Sequence, residues 1–336
     1  MLQNYLQKYF TKAFYPTPHR NWYKEKGYVG ADSSLQFADF LTTQKKNKTS
    51  KFHEEFKSLD ITRQYVNSGE HKLDSVILTP YKSISRNKPG EGLYFVMFQG
   101  RGEYYESRFR DMALQAKETG ASVVGFNPKG FHASSGKTQK LYDIVEDGIA
   151  IIGFLLEKGI PSNRIIMQGN SLGAGVQEMV SEHYAHVKNI RFRQINSNSF
   201  KNLASVLAYH YKAPILERVF SVILKYAGWE ISVGAEFYKT GPYRCLLRRK
   251  GDRTIGGFAE YNAMVNHQED YENCSKDYRE TNKWLNEHNQ LIYTGRSKKD
   301  PHALSLHHFA IKGEGKRSVY YLINRYLAAS NTIVVI

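Results

Sequence analysis

Residues 164–177 read RIIMQGNSLGAGVQ, and the fold of the whole chain turns on how they are read. An apolar run ends in glycine, a lone serine follows, and glycines crowd the next turn. Two local structures compete here. In one, Ser171 is an ordinary residue at a helix start. In the other it sits on a sharp strand-to-helix turn, with Gly169 and Gly173 two residues away because the backbones there approach too closely for bulk. Gly169-Asn170-Ser171-Leu172-Gly173 fits G-x-S-x-G, a pattern that a chain of this length shows by chance roughly one time in ten. The context favours the sharp turn, since an apolar strand precedes it and an Ala-Gly-Val helix start follows. A serine held so stands above a sheet, and the helix N-terminus behind it helps to stabilise developing negative charge.

Working outward, strands and helices alternate. Residues 61–81, ITRQYVNSGEHKLDSVILTPY, hold two β-rich runs around Asn67-Ser68-Gly69-Glu70, the pattern of a hairpin. GLYFVMFQG (92–100) is a continuous apolar run closed by glycine, as for a strand buried on both faces. A helical stretch over about 105–119 and a strand over 121–127 follow. The helix of 142–159 stops at Gly159 with Pro161 just beyond. After the helix behind Ser171 come a strand over 189–196, helices from about 201, strand candidates at 243–249 and 290–295, and a closing helix over 316–329. This order predicts an α/β fold: a mostly parallel central sheet with helices on both faces. It spans 61–330, behind a partly helical N-terminal extension over 1–60.

Between the strands near 195 and 245 lies more chain than one crossover helix needs. There Leu216, Val219, Phe220, Ile223, Leu224 and Ala227 fall at helical spacing and form an apolar stripe. The plainer reading is a helix packed on the core. The other is a helical lid insertion (about 201–240) over an apolar pocket, in contact with lipid.

Composition bounds the partners. At 336 residues, with 41% hydrophobic and 24% charged, the chain can bury a sizeable core. The formal net charge of +15 favours anionic surroundings. Yet the basic residues are scattered, with short clusters only at 45–48 and 248–250, and no zinc-finger or RNA-binding signature accompanies them. The charge therefore reads first as a solvated surface; nucleic acid is not an expected partner, and peripheral membrane contact is the functional alternative. The 24 tyrosines read as amphipathic packing at the edge of a core. Two cysteines, Cys245 and Cys274, make no disulfide framework and suit a reducing compartment. The N-terminus has no apolar h-region and no small-residue cleavage site, and no run of about 18 apolar residues occurs. The expected location is cytoplasmic, or reached by export that leaves the N-terminus intact.

A nucleophilic serine needs donors for the oxyanion. In this kind of turn one N–H comes from the residue after the serine, here Leu172, and another from the loop after an earlier strand. That loop reads Gln99-Gly100-Arg101-Gly102-Glu103, and Arg101, between two glycines, is the natural second donor. The plainer reading is a tight strand-to-helix turn, and both can hold.

Residues 98–137, FQGRGEYYESRFRDMALQAKETGASVVGFNPKGFHASSGK, resemble the G-x-G-E…R-[FY] and D-x-x-G-x-G-x-S-x-G segments of α/β-hydrolases of the monoacylglycerol-lipase and serine-aminopeptidase type. With GNSLG in third place, three motifs stand in that family's order, and the likeness covers roughly 60–330. More narrowly, GNSLGAGVQ with FNPKG is similar to hydrolase-like proteins of intracellular bacteria, a chlamydial family and SidB-type Legionella effectors among them, which would place the protein in a host cell. There are departures. Gln99 stands for a common His, Asn127 for the usual Asp, His132 for a Gly and Asn170 for a common His.

The resemblance implies an α/β-hydrolase fold, no cofactor, and a Ser-Asp-His triad in that order along the chain. The turn after the strand at 189–195, INSNSF, has no carboxylate. The next, RRKGDRTIG, puts Asp252 where relatives carry the acid, among cations that would keep it ionised. For the base, His302, His307 and His308 follow the last strand, and His302 in KKDPHALSL lies where relatives present theirs. His308 is the next choice. The three do not make a metal site. The stretch from Asp252 to His302 is longer than relatives show, which implies an insertion over about 256–288. The expected activity is a serine esterase acting on a small-molecule ester or lipid. The alternative is a catalytically silent protein of the same fold that binds a partner or a membrane surface.

Overall fold

The computed structural model describes residues 2–16, 25–28, 33–46, 56–231, 244–249, 252, 254–255, 289–294 and 319–331. Its strands are β1 (Leu59–Ser68), β2 (His71–Pro80), β3 (Tyr94–Phe98), β4 (Ser122–Phe126), β5 (Ile165–Asn170), β6 (Arg193–Ser197), β7 (Arg244–Arg249) and β8 (Asn289–Thr294). The helices used below are α1 (Leu2–Phe14), α2 (Ser33–Lys46), α3 (Phe109–Thr119), α4 (Leu141–Glu157), α5 (Leu172–Lys188), α6 (Leu203–His210), α7 (Glu217–Ala227) and α8 (Val319–Asn331).

β1 and β2 form the expected hairpin. Ser68 pairs with His71, so Gly69-Glu70 is a two-residue turn, and Gly69 takes the positive φ of 58° that such turns require. The sheet order is β1-β2-β4-β3-β5-β6-β7-β8. β2 joins antiparallel to β4, and from β4 onward every neighbouring pair is parallel. Parallel strands need crossovers, and the crossovers place helices on both faces.

The apolar runs of the sequence now have their reason. Successive side chains of a strand point to opposite faces. Val96, Val124, Ile165 and Leu246 pack on one side with α4, α5 and Phe10 of α1. Their neighbours Phe95, Val123, Ile166 and Leu247 pack on the other with α2, α3 and α8. A strand buried on both faces cannot alternate with polar residues, so it reads as a continuous run. This is the α/β-hydrolase fold that the motifs led us to expect.

Two expectations change in detail. The strand placed at 189–196 starts only at Arg193. α5 runs on to Lys188, Asn189 caps it in the left-handed conformation (φ 52°), and the Ile190 N–H returns to the Tyr184 carbonyl. The apolar stripe of 216–227 divides between two surroundings. Leu224 and Ala227 are fully buried and Phe220 and Ile223 lie against the core, but Val219 is 51% exposed. Residues 232–240 of the expected lid and the whole of 256–288 lie outside the described residues.

Within the described part of 1–60 a few aromatic residues anchor the chain on the sheet's two layers. Phe10 and Tyr15 join the core, Tyr15 lying 4.6 Å from the Phe131 ring, and Phe14 lies 5.8 Å from Trp229. Thr11 Oγ1 donates to the Gln139 carbonyl, and Gln3 Nε2 to that of Tyr226 on α7. On the opposite face Phe40 of α2 and Phe56 pack on Phe109.

Candidate active site

β5 ends at Asn170 and α5 begins at Leu172, so Ser171 alone makes the turn between them. Its backbone has φ 53° and ψ −122°, a conformation that costs a side-chain-bearing residue about 1–3 kcal/mol. Three features hold it. The Ser171 N–H donates to the Ser197 carbonyl at 2.9 Å, and the Ser171 carbonyl accepts from Ala174 N–H at 2.9 Å. A Cβ on Gly169 would stand 2.5 Å from Ala174 Cα. One on Gly173 would overlap the carbonyl oxygens of Phe98 and Gln99. Both glycines are thus required by close backbone approach. The Gly173 contacts also bring the end of β3 against the start of α5.

The loop after β3 presents backbone. The Gly100 N–H is taken by Glu103 Oε2 at 2.8 Å. By contrast, among the described residues the N–H groups of Arg101 and Leu172 have no hydrogen-bond partner. Leu172 opens α5, whose first N–H groups have no partner within the helix and carry its positive end. Two N–H groups therefore flank the turn at Ser171, on segments in van der Waals contact.

Asp252 lies just beyond β7, half-buried, with Oδ1 accepting the N–H groups of Thr254 at 2.9 Å and Ile255 at 3.0 Å. β7 stands two strands from β5 in the sheet. His302, His307 and His308 lie outside the described residues. His132, where the resemblance has glycine, keeps the positive φ of 44°. Burial, then the Arg63 charge, pushes its imidazole down to about 4, so it is neutral at ordinary pH. Among the described residues no group of three or more His, Cys, Asp or Glu is placed to hold a metal ion.

Polar side chains outside the triad pattern gather beside the turn. Register sets Phe98 against Gly169 and Asn170 against Ser197, so Gln99, Asn170 and Ser197 stand in one row across three strand ends. They line a cavity of about 40 Å³ with Glu103, Arg108 and Tyr320. Among the described residues, Gln99 Nε2, Asn170 Oδ1, Ser197 Oγ and Tyr320 OH are buried there without a hydrogen-bond partner. The next residue, Asn198, takes φ 49° and is likewise buried, both its amide atoms without a partner among the described residues. The sequence signal for this cluster is the polar run NSNS at the end of β6. It carries no carboxylate, so a triad pattern does not reach it.

No family model and no curated protein matches this sequence. Similar solved structures exist. The Pyrococcus furiosus esterase PF2001 is 16% identical, with a TM-score of 0.46 over 70% of this chain and 81% of that one. An alpha-beta hydrolase from Vibrio vulnificus is 14% identical, with a TM-score of 0.45 over 66% and 77%. A Pyrobaculum calidifontis esterase is 15% identical, with a TM-score of 0.44 over 71% and 81%. Among the described residues no helix is long and apolar enough to cross a membrane.

Proposed function

We propose that the protein is a serine hydrolase that cleaves a carboxylic ester through an acyl-enzyme. The observation that carries this reading is the turn at Ser171: a strained serine between two obligatory glycines, flanked by two N–H groups that have no partner among the described residues. Backbone strain of this kind persists where the surrounding structure over-determines it, and such sites are characteristically functional.

In this reading Ser171 Oγ attacks the ester carbonyl and passes its proton to His302. Asp252 holds the imidazole in the tautomer that accepts it. The carbonyl oxygen, now negative, takes hydrogen bonds from the Leu172 and Arg101 N–H groups. His302 returns the proton to the departing alcohol. Water then attacks the acyl-enzyme by the same route and frees Ser171. Asp252 Oδ1 accepts the Thr254 and Ile255 N–H groups, and these bonds fix the orientation of its carboxylate beside the end of β7.

A lipid or acyl ester is favoured as substrate by the surface of α7 and the segment before it. Ile215 is 87% exposed and Val222 69%, with Val219 and Tyr226 on the same side and Lys225 and Arg218 beside them. An apolar stripe with cations alongside suits peripheral contact with a membrane that supplies such esters.

A fluorophosphonate probe tests the nucleophile. The wild type is expected to label and Ser171→Ala not to. Equal labelling of the two removes the assignment, and an unlabelled wild type leaves the fold as a binding scaffold. p-Nitrophenyl esters of graded chain length then test the substrate class, and turnover confined to the acetate would rule out the long-chain preference. Cosedimentation with lipid vesicles tests the membrane contact, which falls if the protein stays in the supernatant.

A further inference from the structure

Both backbone groups of Gly100 end on Glu103. The Glu103 carboxylate accepts the Gly100 N–H through Oε2 at 2.8 Å, and the Glu103 N–H donates to the Gly100 carbonyl at 3.2 Å. The other carboxylate oxygen, Oε1, pairs with Arg108 Nη2. Arg108 Nη1 donates in turn to Asp111 Oδ2 at 3.1 Å, in the first turn of α3. A line of charge-assisted hydrogen bonds therefore runs from the core-packed helix to one glycine of the loop after β3. Such bonds are about twice as strong as neutral ones.

The position of that glycine matters for its neighbour. A peptide unit is planar and trans, so the Gly100 carbonyl and the Arg101 N–H point in opposite directions within one plane. Holding the carbonyl towards Glu103 aims the Arg101 N–H away from it. Gly100 also lies against the strand that carries the serine, since a Cβ there would be 3.3 Å from the Asn170 carbonyl oxygen. A small rotation of this peptide would move the donor without moving anything else in the core.

Charge is the other half of the argument. A bare carboxylate close to a developing oxyanion would oppose it. Here the guanidinium of Arg108 is paired with Glu103 and offsets that charge, while leaving the carboxylate its acceptor role. Glu103 is 21% exposed and Arg108 15%, so solvent screens the pair only in part.

We propose that Glu103 is a positioning residue of the hydrolytic site: clamped by Arg108 and Asp111, it locks the Gly100–Arg101 peptide so that the Arg101 N–H faces the oxygen of a group bound at Ser171. This rests on the reading of Ser171 as the nucleophile. Glu103 touches no reacting atom, and its effect passes through the backbone of Arg101.

The test uses the full chain carrying Glu103→Ala or Glu103→Gln. Amide hydrogen exchange across 98–104 is followed by mass spectrometry. Fluorophosphonate labelling rate, and kcat and KM on p-nitrophenyl butyrate, are measured alongside. In Glu103→Ala the loop amides should exchange at least about 10-fold faster, and labelling and kcat should fall about 10²-fold, the loss expected when a group is misplaced by about 1 Å. KM should stay within about threefold, because the interaction belongs to the transition state. Glu103→Gln keeps an acceptor for the Gly100 N–H but not the pair with Arg108, and it should fall between the two. It also serves as the readout if the alanine variant does not fold. Unchanged exchange in a folded variant, or faster exchange with wild-type labelling and kcat, overturns the proposal and leaves Ser171 as it stands. A wild type that does not label overturns both.

Discussion

A methyl group at Gly173 would overlap the Phe98 and Gln99 carbonyl oxygens, which belong to backbone and cannot swing aside. Gly173→Ala should therefore cost about 3 kcal/mol, at the upper end of what overpacking does. Urea unfolding would measure it. Any protein that still folds should label with fluorophosphonate at least about 10²-fold more slowly, since α5 must shift from the end of β3. A stable, fully reactive Gly173→Ala would show that the close approach is not needed. The G-x-S-x-G spacing makes this requirement legible in the sequence itself. Glu103 is not legible in the same way, because G-x-G-E marks a residue type and leaves open what its carboxylate holds.

At the scale of elements, α5 carries a buried charge into the sheet. Glu178 points to β6 and β7, where Asn196 Nδ2 donates to it at 3.2 Å and Arg244 Nη1 lies 3.7 Å away. Burial outweighs both and pushes the carboxyl up to about 7. The folded state thus holds a proton that the unfolded state, titrating near 4.5, has released. The contribution of this group to stability is complete below the unfolded value and is lost as pH rises towards about 7. Asp147, likewise raised by burial to about 6, acts in the same direction. Glu178→Gln should flatten this fall and be more stable than the wild type at pH 8 by on the order of 1–3 kcal/mol. Thermal melts between pH 5 and 8 would show it, and parallel wild-type and variant curves would count against it. The sequence places Glu178 on a helix after the serine. Which face of that helix meets β7 depends on a strand 56 or more residues later in the chain, beyond any local pattern.

For the molecule as a whole, the N-terminal helix α1 is structural. Phe10 is 7% exposed within the main core, so Phe10→Ala should cost about 3–5 kcal/mol in urea unfolding. A residue on a detachable tail would cost almost nothing. On α7 the two sides should part company. Leu224→Ala, at a fully buried site, should lose about 2–5 kcal/mol, whereas Val222→Ser, on the exposed stripe, should stay within about 0.5 kcal/mol. The sequence by itself determined the alternation of strands and helices, the hairpin at Gly69-Glu70 and the turn at Ser171. Each rests on local physics: apolar runs for strands buried on both faces, positive φ for glycine, and close approach around a tight turn. Only the tertiary structure decided that α1 and α2 pack into the core, and that the stripe of 216–227 is half covered. It alone set Gln99, Asn170 and Ser197 in one row and brought Glu103 onto Gly100. These depend on which surfaces meet across the sheet. An apolar helix face has the same periodicity whether or not another surface covers it.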